Sequence, residues 1–229
     1  RMPQARFTTA SGVHAKPLAE LCMLGMLSFS RGLFRLQHDQ RERRWQRRTA
    51  TDLDGRTLGI VGVGNIGAEV ARLARAFGMQ VLGIKRDIAG IDPESLHVNE
   101  LYSPDGLHDV LRRSEFLVLV TPHTSETEHL IGERELALLP QGAVLINIGR
   151  GAVVDEQAMI AALQSGRLAG AVLDVFEKEP LPPQSPLWDM PNVLISPHAG
   201  GMSDREGTRL TDLFCENLRR FLADEPLIN

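Results

Sequence analysis

Three glycines at fixed spacing, Gly62, Gly64 and Gly67, constrain the fold of this chain more than any other feature. They follow the apolar run Thr57–Val63, which we predict to be a strand, and they open the helical pattern Asn65–Phe77. In such a turn the first glycine permits a tight bend, the second lets the backbone approach a pyrophosphate, and the third lets helix and strand pack closely. The turn therefore predicts a dinucleotide-binding βα unit.

The start of that helix supplies the expected phosphate contacts. The first N–H groups of a helix lack intrahelical partners and lie at the positive end of its dipole. Here those groups belong to Asn65 and Ile66. We therefore predict that both residues bind the phosphates of the dinucleotide.

The rest of the chain alternates short apolar runs with amphipathic segments, which is typical of a doubly wound α/β fold. The runs are continuously apolar, as expected for parallel strands covered on both faces. We expect a mostly parallel Rossmann sheet. Its further strands are predicted at Gln80–Ile84, Phe116–Val120, Ala143–Ile148, Ala169–Val175 and Val193–Ser196, and its further helices at Leu107–Ser114, Glu133–Leu139 and Glu156–Ser165.

Two helical patterns lie outside this alternation. One starts near Pro17, a residue suited to a first helical turn, and the other spans about Ser203–Ala223 with a single apolar stripe. Such helices either bridge to a neighbouring domain or subunit, or cover the sheet, and the sequence leaves both readings open. The stripe of the second helix consists of Leu210, Leu213, Phe214, Leu218, Phe221 and Leu222.

Composition excludes several classes of protein. Among 229 residues there are two cysteines, Cys22 and Cys215, so no disulfide framework is expected and a reducing compartment is favoured. No apolar run approaches the roughly 20 residues that span a bilayer, and no secretory signal is visible, so we expect a cytoplasmic protein without a membrane partner.

One segment, Arg31–Arg48, is strongly basic, with seven arginines against Asp39 and Glu42. The net charge of the whole chain is −4, and nothing in the segment resembles a motif that reads nucleic-acid grooves. We interpret it as a solvated face or a subunit contact and expect no nucleic-acid partner.

The end of the second strand bears on the choice of cofactor. An NAD enzyme normally places an acidic residue there to accept hydrogen bonds from the ribose hydroxyls. Here Lys85 takes that position, followed by Arg86, and cations suit the additional 2′-phosphate of NADP. We favour NADP over NAD, while Asp87 leaves open an ordinary ribose contact.

Six short sequence motifs, distributed over nearly the whole chain, follow one another in the order found in one known family. With these motifs the chain resembles the D-isomer-specific 2-hydroxyacid dehydrogenases, the family of glyoxylate/hydroxypyruvate reductases and phosphoglycerate dehydrogenases. They are Gly12–Ala15 leading to Leu18–Glu20, Leu58–Val61 with the glycine turn, Val120–Pro122, Ile146–Gly151, Leu173–Phe176 with Glu179–Pro180, and Ser196–Gly201.

The resemblance implies a catalytic triad of Arg150, Glu179 and His198 acting on a small 2-keto or 2-hydroxy acid. The chemistry agrees with these residue types. A guanidinium binds a carboxylate through two hydrogen bonds, and an imidazole titrates near neutrality. A carboxylate bonded to that imidazole orients it and favours its charged form. No metal site is part of this prediction.

The same resemblance implies further cofactor contacts and a homodimer formed through the cofactor domain. Asp174 would accept from the nicotinamide carboxamide, and Pro122 would lie against the adenine. The remaining contacts implied are Thr121, Ile148, Gly149, Gly200 and Gly201.

Family members also begin with a flavodoxin-like substrate domain, which this sequence largely lacks. We therefore expect residues 1–16 to be a remnant of the connection to that domain. Residues 17–200 would form the dinucleotide-binding domain, and residues 201–229 a C-terminal bridging helix.

Two alternatives of other kinds remain. The C-terminal-binding-protein corepressors resemble these dehydrogenases and would make the chain a nucleotide-sensing, dimeric interaction protein. Formate dehydrogenases also resemble it, but they carry Gln where Glu179 stands. Since abstracting hydride from formate needs no proton transfer, Glu179 favours a hydroxy acid as substrate.

Overall fold

The computed structural model describes residues 5–229, which form one parallel sheet with helices on both faces. The strands are β1 (Thr57–Val61), β2 (Gln80–Ile84), β3 (Glu100–Tyr102), β4 (Phe116–Leu119), β5 (Ala143–Asn147), β6 (Leu168–Leu173) and β7 (Val193–Ile195). The helices are α1 (Ala15–Ser30), α2 (Leu33–Arg41), α3 (Asn65–Ala76), α4 (Leu107–Arg113), α5 (Glu133–Leu138), α6 (Glu156–Gln164) and α7 (Glu206–Leu222).

The strands are arranged in the order β3-β2-β1-β4-β5-β6-β7, and every neighbouring pair is parallel. This confirms the doubly wound α/β fold, and the sheet is more uniform than expected because none of the strands described runs antiparallel. The strand order reverses direction between β1 and β4. Open α/β sheets bind ligands outside the carboxyl ends of the strands at such a point.

Apolar residues on consecutive strand positions enter two different cores. In β4, Leu117 and Leu119 pack with α4, α5 and α6, whereas Val118 packs with α1 and α3 on the opposite face. Since neighbouring side chains of a strand point to opposite faces, both faces must be apolar when both are covered. This explains why the strands read as continuous apolar runs.

The predicted strand ends need correction. Five predicted strands continue one or two residues beyond the observed ladder, because apolar residues such as Val63, Ile148 and Val175 are buried at the carboxyl edge without pairing. The edge strand β3 was missed altogether. It has only three half-buried residues, two of them polar or amphipathic, and so it carries no periodic signal.

The two terminal helices differ in how they pack. Helix α1 begins at Ala15, earlier than predicted, and covers the sheet; its Gly25 lies so close to Val172 that an added Cβ would come within 2.6 Å. Helix α7 does not cover the sheet in this way. Its stripe is largely exposed, with Phe214 66% and Leu222 78% accessible. The division of the chain at residues 17 and 200 stays a prediction.

The basic segment also has a defined form. It contains α2 and continues as an extended stretch in which residues 42–49 are all exposed. Within residues 5–229, no helix combines the length and the apolar character that crossing a bilayer requires.

Candidate active site

The glycine turn joins β1 to α3 at the carboxyl edge of the sheet. Gly62 has φ +105°, a conformation that favours glycine, and an added Cβ would lie 2.9 Å from Thr121 Cγ2. A Cβ on Gly67 would lie 2.5 Å from the carbonyl oxygen of Gly62. Both glycines are therefore required by close contacts, and these contacts draw the turn against the end of β4.

The space in front of α3 fits a dinucleotide. Gly64 caps the helix in an extended conformation, and no atom lies within 4 Å of the position its Cβ would take. Asn65 and Ile66 follow as the first helical residues. Beside the turn, the hydroxyl of Thr121 is the one buried side-chain oxygen or nitrogen without a hydrogen-bond partner in the described part of the chain. An open cradle next to an unsatisfied hydroxyl is what a polar ligand would fill.

Three charged residues follow β2 at the same edge. The ammonium of Lys85 donates to the carbonyl of Val63 at 3.2 Å, which ties it to the glycine turn. Arg86 is 73% exposed, and its guanidinium lies 3.9 Å from the Glu126 carboxylate. Asp87 accepts from the N–H of Ala89 at 3.2 Å. Asp87, the alternative candidate for a ribose contact, is thus already bonded within its own turn, whereas Arg86 is exposed to solvent.

An acid–base pair forms where the loops after β6 and β7 meet. Nδ1 of His198 lies 2.7 Å from Oε2 of Glu179, and the N–H of Phe176 donates to Oε1 of Glu179 at 3.0 Å. Burial raises the pKa of the Glu179 carboxyl, but these hydrogen bonds and the charges of His198 and Arg150 outweigh burial, so its pKa lies below the ordinary value. The carboxylate therefore stays ionised and fixes the ring.

A buried carboxylate shapes the turn that carries His198. Oδ1 of Asp174 accepts from the hydroxyl of Ser196, from the N–H of Ala199 at 2.9 Å and from the N–H of Gly200 at 2.8 Å. These bonds hold His198 at φ +53°, a left-handed conformation that is uncommon for residues other than glycine. Asp174 is only 2% exposed, and its Oδ2 faces Gly200.

Arg150 extends from the end of β5. Asn147, the last residue of that strand, is buried, and its amide donates to the carbonyl of Arg150 at 3.1 Å. The amide oxygen accepts from the N–H of Gly149, also at 3.1 Å. The backbone of Arg150 is thus fixed while its side chain remains exposed. A guanidinium held in this way can bind a carboxylate and polarise an adjacent carbonyl.

Comparison with known proteins identifies the family to which a chain with this site belongs. The family model for the NAD binding domain of D-isomer specific 2-hydroxyacid dehydrogenases matches residues 23–200. The chain belongs to this family. Its expected resemblance and its dinucleotide-binding domain are thereby confirmed.

Relatives of this dehydrogenase domain are longer proteins. The glyoxylate reductase of Korarchaeum cryptofilum is 38% identical over 227 residues, which cover 95% of this chain and 66% of that protein. The D-3-phosphoglycerate dehydrogenase of Methanocaldococcus jannaschii is 33% identical over 210 residues, covering 91% of this chain and 39% of that protein. The chain therefore spans less than two thirds of the length of either relative.

Solved structures agree with the dehydrogenase fold. A D-isomer specific 2-hydroxyacid dehydrogenase from Xanthobacter autotrophicus, in complex with NADPH and MES, superposes with a TM-score of 0.85 at 35% identity, covering 100% of this chain and 92% of that chain. The NADPH-dependent glyoxylate/hydroxypyruvate reductase of Sinorhizobium meliloti, in complex with NADP and sulfate, gives 0.84 at 32%, covering 99% of this chain and 71% of that chain.

The residues predicted for the dehydrogenase site gather at the carboxyl edge of the sheet. Pro122 is exposed there, Ile148 and Gly149 are buried beneath Arg150, and Gly201 packs against the ring of His14. Their individual roles stay predictions. Sequence reasoning missed Asn147 and Ser196, which brace the loops. A polar residue at the end of an apolar strand was the signal that could have identified both.

Proposed function

We propose that the whole protein reduces a small 2-keto acid, of the glyoxylate or hydroxypyruvate class, to the D-2-hydroxy acid. The observation that carries this proposal is the bond between His198 and Glu179, which lies at the same carboxyl edge of the sheet as the dinucleotide cradle. The names of the relatives support the substrate class, because they include glyoxylate and glyoxylate/hydroxypyruvate reductases.

The residues divide the reaction among them. When a reduced nicotinamide is bound at the cradle, it would supply the hydride for the keto carbon. Because the proton on Nδ1 of His198 is shared with the Glu179 carboxylate, Nε2 is free to give a proton to the carbonyl oxygen. Arg150 holds the substrate carboxylate and draws electron density from the adjacent carbonyl. One hydride and one proton together complete the hydroxy acid.

Turnover with a panel of 2-keto acids tests this function. Nicotinamide absorbance would be followed with each acid and with both reduced cofactors. We expect glyoxylate or hydroxypyruvate to be reduced, and His198→Ala to lower kcat at least 100-fold. Dinucleotide binding without reduction of any acid would contradict the proposal and favour a nucleotide-sensing role.

We propose further that the protein prefers NADP(H) to NAD(H). Two observations support this: Arg86 is exposed beside the cradle, and Lys85 is tied to the carbonyl of Val63. A charge-assisted bond to the 2′-phosphate contributes roughly 1.5–3 kcal/mol, or one to two decades in affinity. Arg86→Gln should weaken the binding of NADPH and leave the binding of NADH unchanged. Arg112→Gln, which removes an exposed arginine on α4, should leave the binding of both cofactors unchanged.

We propose that the partner of this chain is a second copy of itself. The basic arm, Arg31–Asp52, is held together internally by an ion pair of Arg48 with the buried Asp39 at 2.9 Å. Its Trp45 is nevertheless 96% exposed. Between the arm and the amino edge of the sheet, away from the proposed chemistry, lies a groove of about 1170 Å³, lined on one side by arm residues such as Phe34 and on the other by residues such as Trp188.

In a two-fold dimer the arm of one copy would fill the groove of the other, because a symmetric interface pairs each surface with its complement. Light scattering should give a dimer at micromolar concentration, and Trp45→Glu should convert it to a monomer. A monomeric unmodified protein would contradict this proposal.

We also propose a cytoplasmic location. Support comes from the two thiols, since Cys22 is buried in the core and Cys215 is exposed on α7, and neither is paired. Free thiols are typical of a reducing compartment.

A further inference from the structure

Two carboxylates, Glu156 and Glu177, bind each other's backbone behind the proposed catalytic residues. The N–H of Glu156 donates to Oε1 of Glu177 at 3.1 Å. The N–H of Glu177 in turn donates to Oε2 of Glu156 at 3.2 Å. We call this reciprocal pair of bonds the glutamate clasp. Since Glu156 follows the Arg150 loop and Glu177 stands two residues before Glu179, the clasp joins the loops that carry two members of the triad.

The two loops also touch directly at their backbones. A Cβ added to Gly151 would lie 1.9 Å from the carbonyl carbon of Phe176 and 2.4 Å from the nitrogen of Glu177. Only glycine permits this approach. The preceding peptide, through the N–H of Phe176, donates to the Glu179 carboxylate. The position of Arg150 is thus coupled to that of the acid–base pair through a short run of backbone.

The clasp has an electrostatic cost that packing alone would not require. Burial raises the pKa of Glu156, the bond from the Glu177 N–H opposes this, and the Glu177 charge raises it further, so the net shift is upward. The N–H of Glu156 is also one of the donors at the start of α6 that have no partner within the helix, and a negative charge is favourable at that end of a helix. The Glu177 carboxylate satisfies that donor from another loop.

A histidine completes the cluster. Nε2 of His129 lies 3.0 Å from Oε1 of Glu177. The backbone N–H of His129 donates to the carbonyl of Ala152 at 2.8 Å, and this bond ties the segment after β4 to the Arg150 loop. His129 has φ +48°, so its backbone is held in an uncommon conformation to make these contacts. Three segments therefore converge on Glu177.

We propose that Glu177, assisted by Glu156 and His129, is a positioning residue that sets the separation of Arg150 from the Glu179–His198 pair. The substrate must contact both at once, because its carboxylate binds Arg150 while its carbonyl oxygen receives the proton from His198. This inference rests on the proposed reductase function. A displacement of about 1 Å in such a site costs on the order of 100-fold in rate.

The test compares Glu177→Ala with the conservative Glu177→Gln, whose amide oxygen still accepts from the Glu156 N–H. We expect Glu177→Ala to lower kcat about 10- to 100-fold while the Kd for NADPH changes less than twofold. Glu177→Gln should recover most of the rate. Glu177→Asp serves as a second test in case the alanine variant folds poorly. It retains the charge, but its shorter side chain does not reach the Glu156 N–H, so its kcat should fall as in Glu177→Ala.

The matched control is Glu133→Ala, which removes another exposed glutamate, this one at the first position of α5 and outside the clasp. It should leave kcat unchanged. A Glu177→Ala enzyme with the kcat of the unmodified protein would overturn the inference. So would a fall in kcat that Glu177→Gln does not restore.

Amide hydrogen exchange separates failure of this inference from failure of the proposed function. In Glu177→Ala the amide of Glu156 should exchange at least tenfold faster, whether or not any keto acid is reduced. Turnover absent from the unmodified protein would overturn the reductase function and, with it, a role for the clasp in that reaction. Unchanged exchange at Glu156 would overturn the clasp itself.

Discussion

Replacing Gly64 by alanine separates binding from stability at the glycine turn. The added Cβ would enter open space, since no atom lies within 4 Å of it, and the residue already has an extended backbone with φ −101°. The fold should therefore tolerate the change. The new methyl group would nevertheless stand where the backbone of α3 must approach the pyrophosphate of a dinucleotide.

The size of the effect follows from the bonds that are lost. Hydrogen bonds to a charged group contribute about 1.5–3 kcal/mol each, and losing one corresponds to a decrease in affinity of roughly 10- to 150-fold. We expect Gly64→Ala to raise the Kd for NADPH by at least this factor. Its melting temperature should stay within about 2 °C of the unmodified protein, since a surface change of this kind alters stability by no more than about 0.5 kcal/mol.

Gly67→Ala is the matched comparison, because its Cβ would lie 2.5 Å from a backbone oxygen that cannot move without opening the turn. Overpacking of this kind costs about 1–3 kcal/mol, which lowers the melting temperature by roughly 2–12 °C in a domain of this size. Thermal unfolding and NADPH titration by fluorescence measure both quantities. Equal NADPH affinity in Gly64→Ala and the unmodified protein would refute the assignment of the cradle.

Three other expectations concern separate parts of the molecule. His198→Ala should lower kcat at least 100-fold with an unchanged dinucleotide Kd in titrations, because its proposed role is proton transfer. Lys85→Asp should reverse the preference for NADPH over NADH in competitive titration, since a carboxylate repels the 2′-phosphate and accepts from a ribose hydroxyl. Hydrogen bonds from Arg113 and Tyr102 lower the pKa of Glu100 from 4.5 to about 2. Because the folded-state pKa is lowered, the Glu100–Arg113 pair stabilises the fold above about pH 4.5, and this contribution is lost as the pH falls towards 2. The contribution is at most about 1 kcal/mol, because both side chains are nearly half exposed. In urea unfolding, the stability of Arg113→Gln should therefore fall less between pH 4.5 and pH 2 than the stability of the unmodified protein.

The sequence predicted the strands that form the centre of the sheet because their burial on two faces leaves a continuous apolar signal. The edge strand β3 lacks that signal, since it is short and only half-buried, and its polar groups on Glu100 and Tyr102 bind Arg113 at the surface. Strand ends were overestimated for a related reason. Hydrophobicity reports burial, and residues such as Val63 remain buried after the ladder has ended.

The candidate site was predictable in a different way. Glycine spacing and family motifs identified groups that would touch a ligand, such as Gly64 and His198. They did not identify side chains that act on the protein's own backbone. Asn147 could have been noticed as a polar residue at the end of an apolar strand, but its bonds, like those of Glu177, go to peptide groups that a sequence does not display. These partners become visible only when the loops are placed next to each other.

These backbone contacts explain how exposed loops can hold a defined geometry. The loops after β5 and β6 each begin with a buried polar side chain, Asn147 at the end of one strand and Asp174 just after the other. Burying such groups is unfavourable unless every bond is made, and here the bonds go to the peptides that flank Arg150 and His198. Because the polar groups sit at the end of a rigid sheet, the loops take their position from the strands. The reactive side chains can then stay exposed to substrate without losing their alignment, and the clasp at Glu177 extends the same device from single loops to the distance between them.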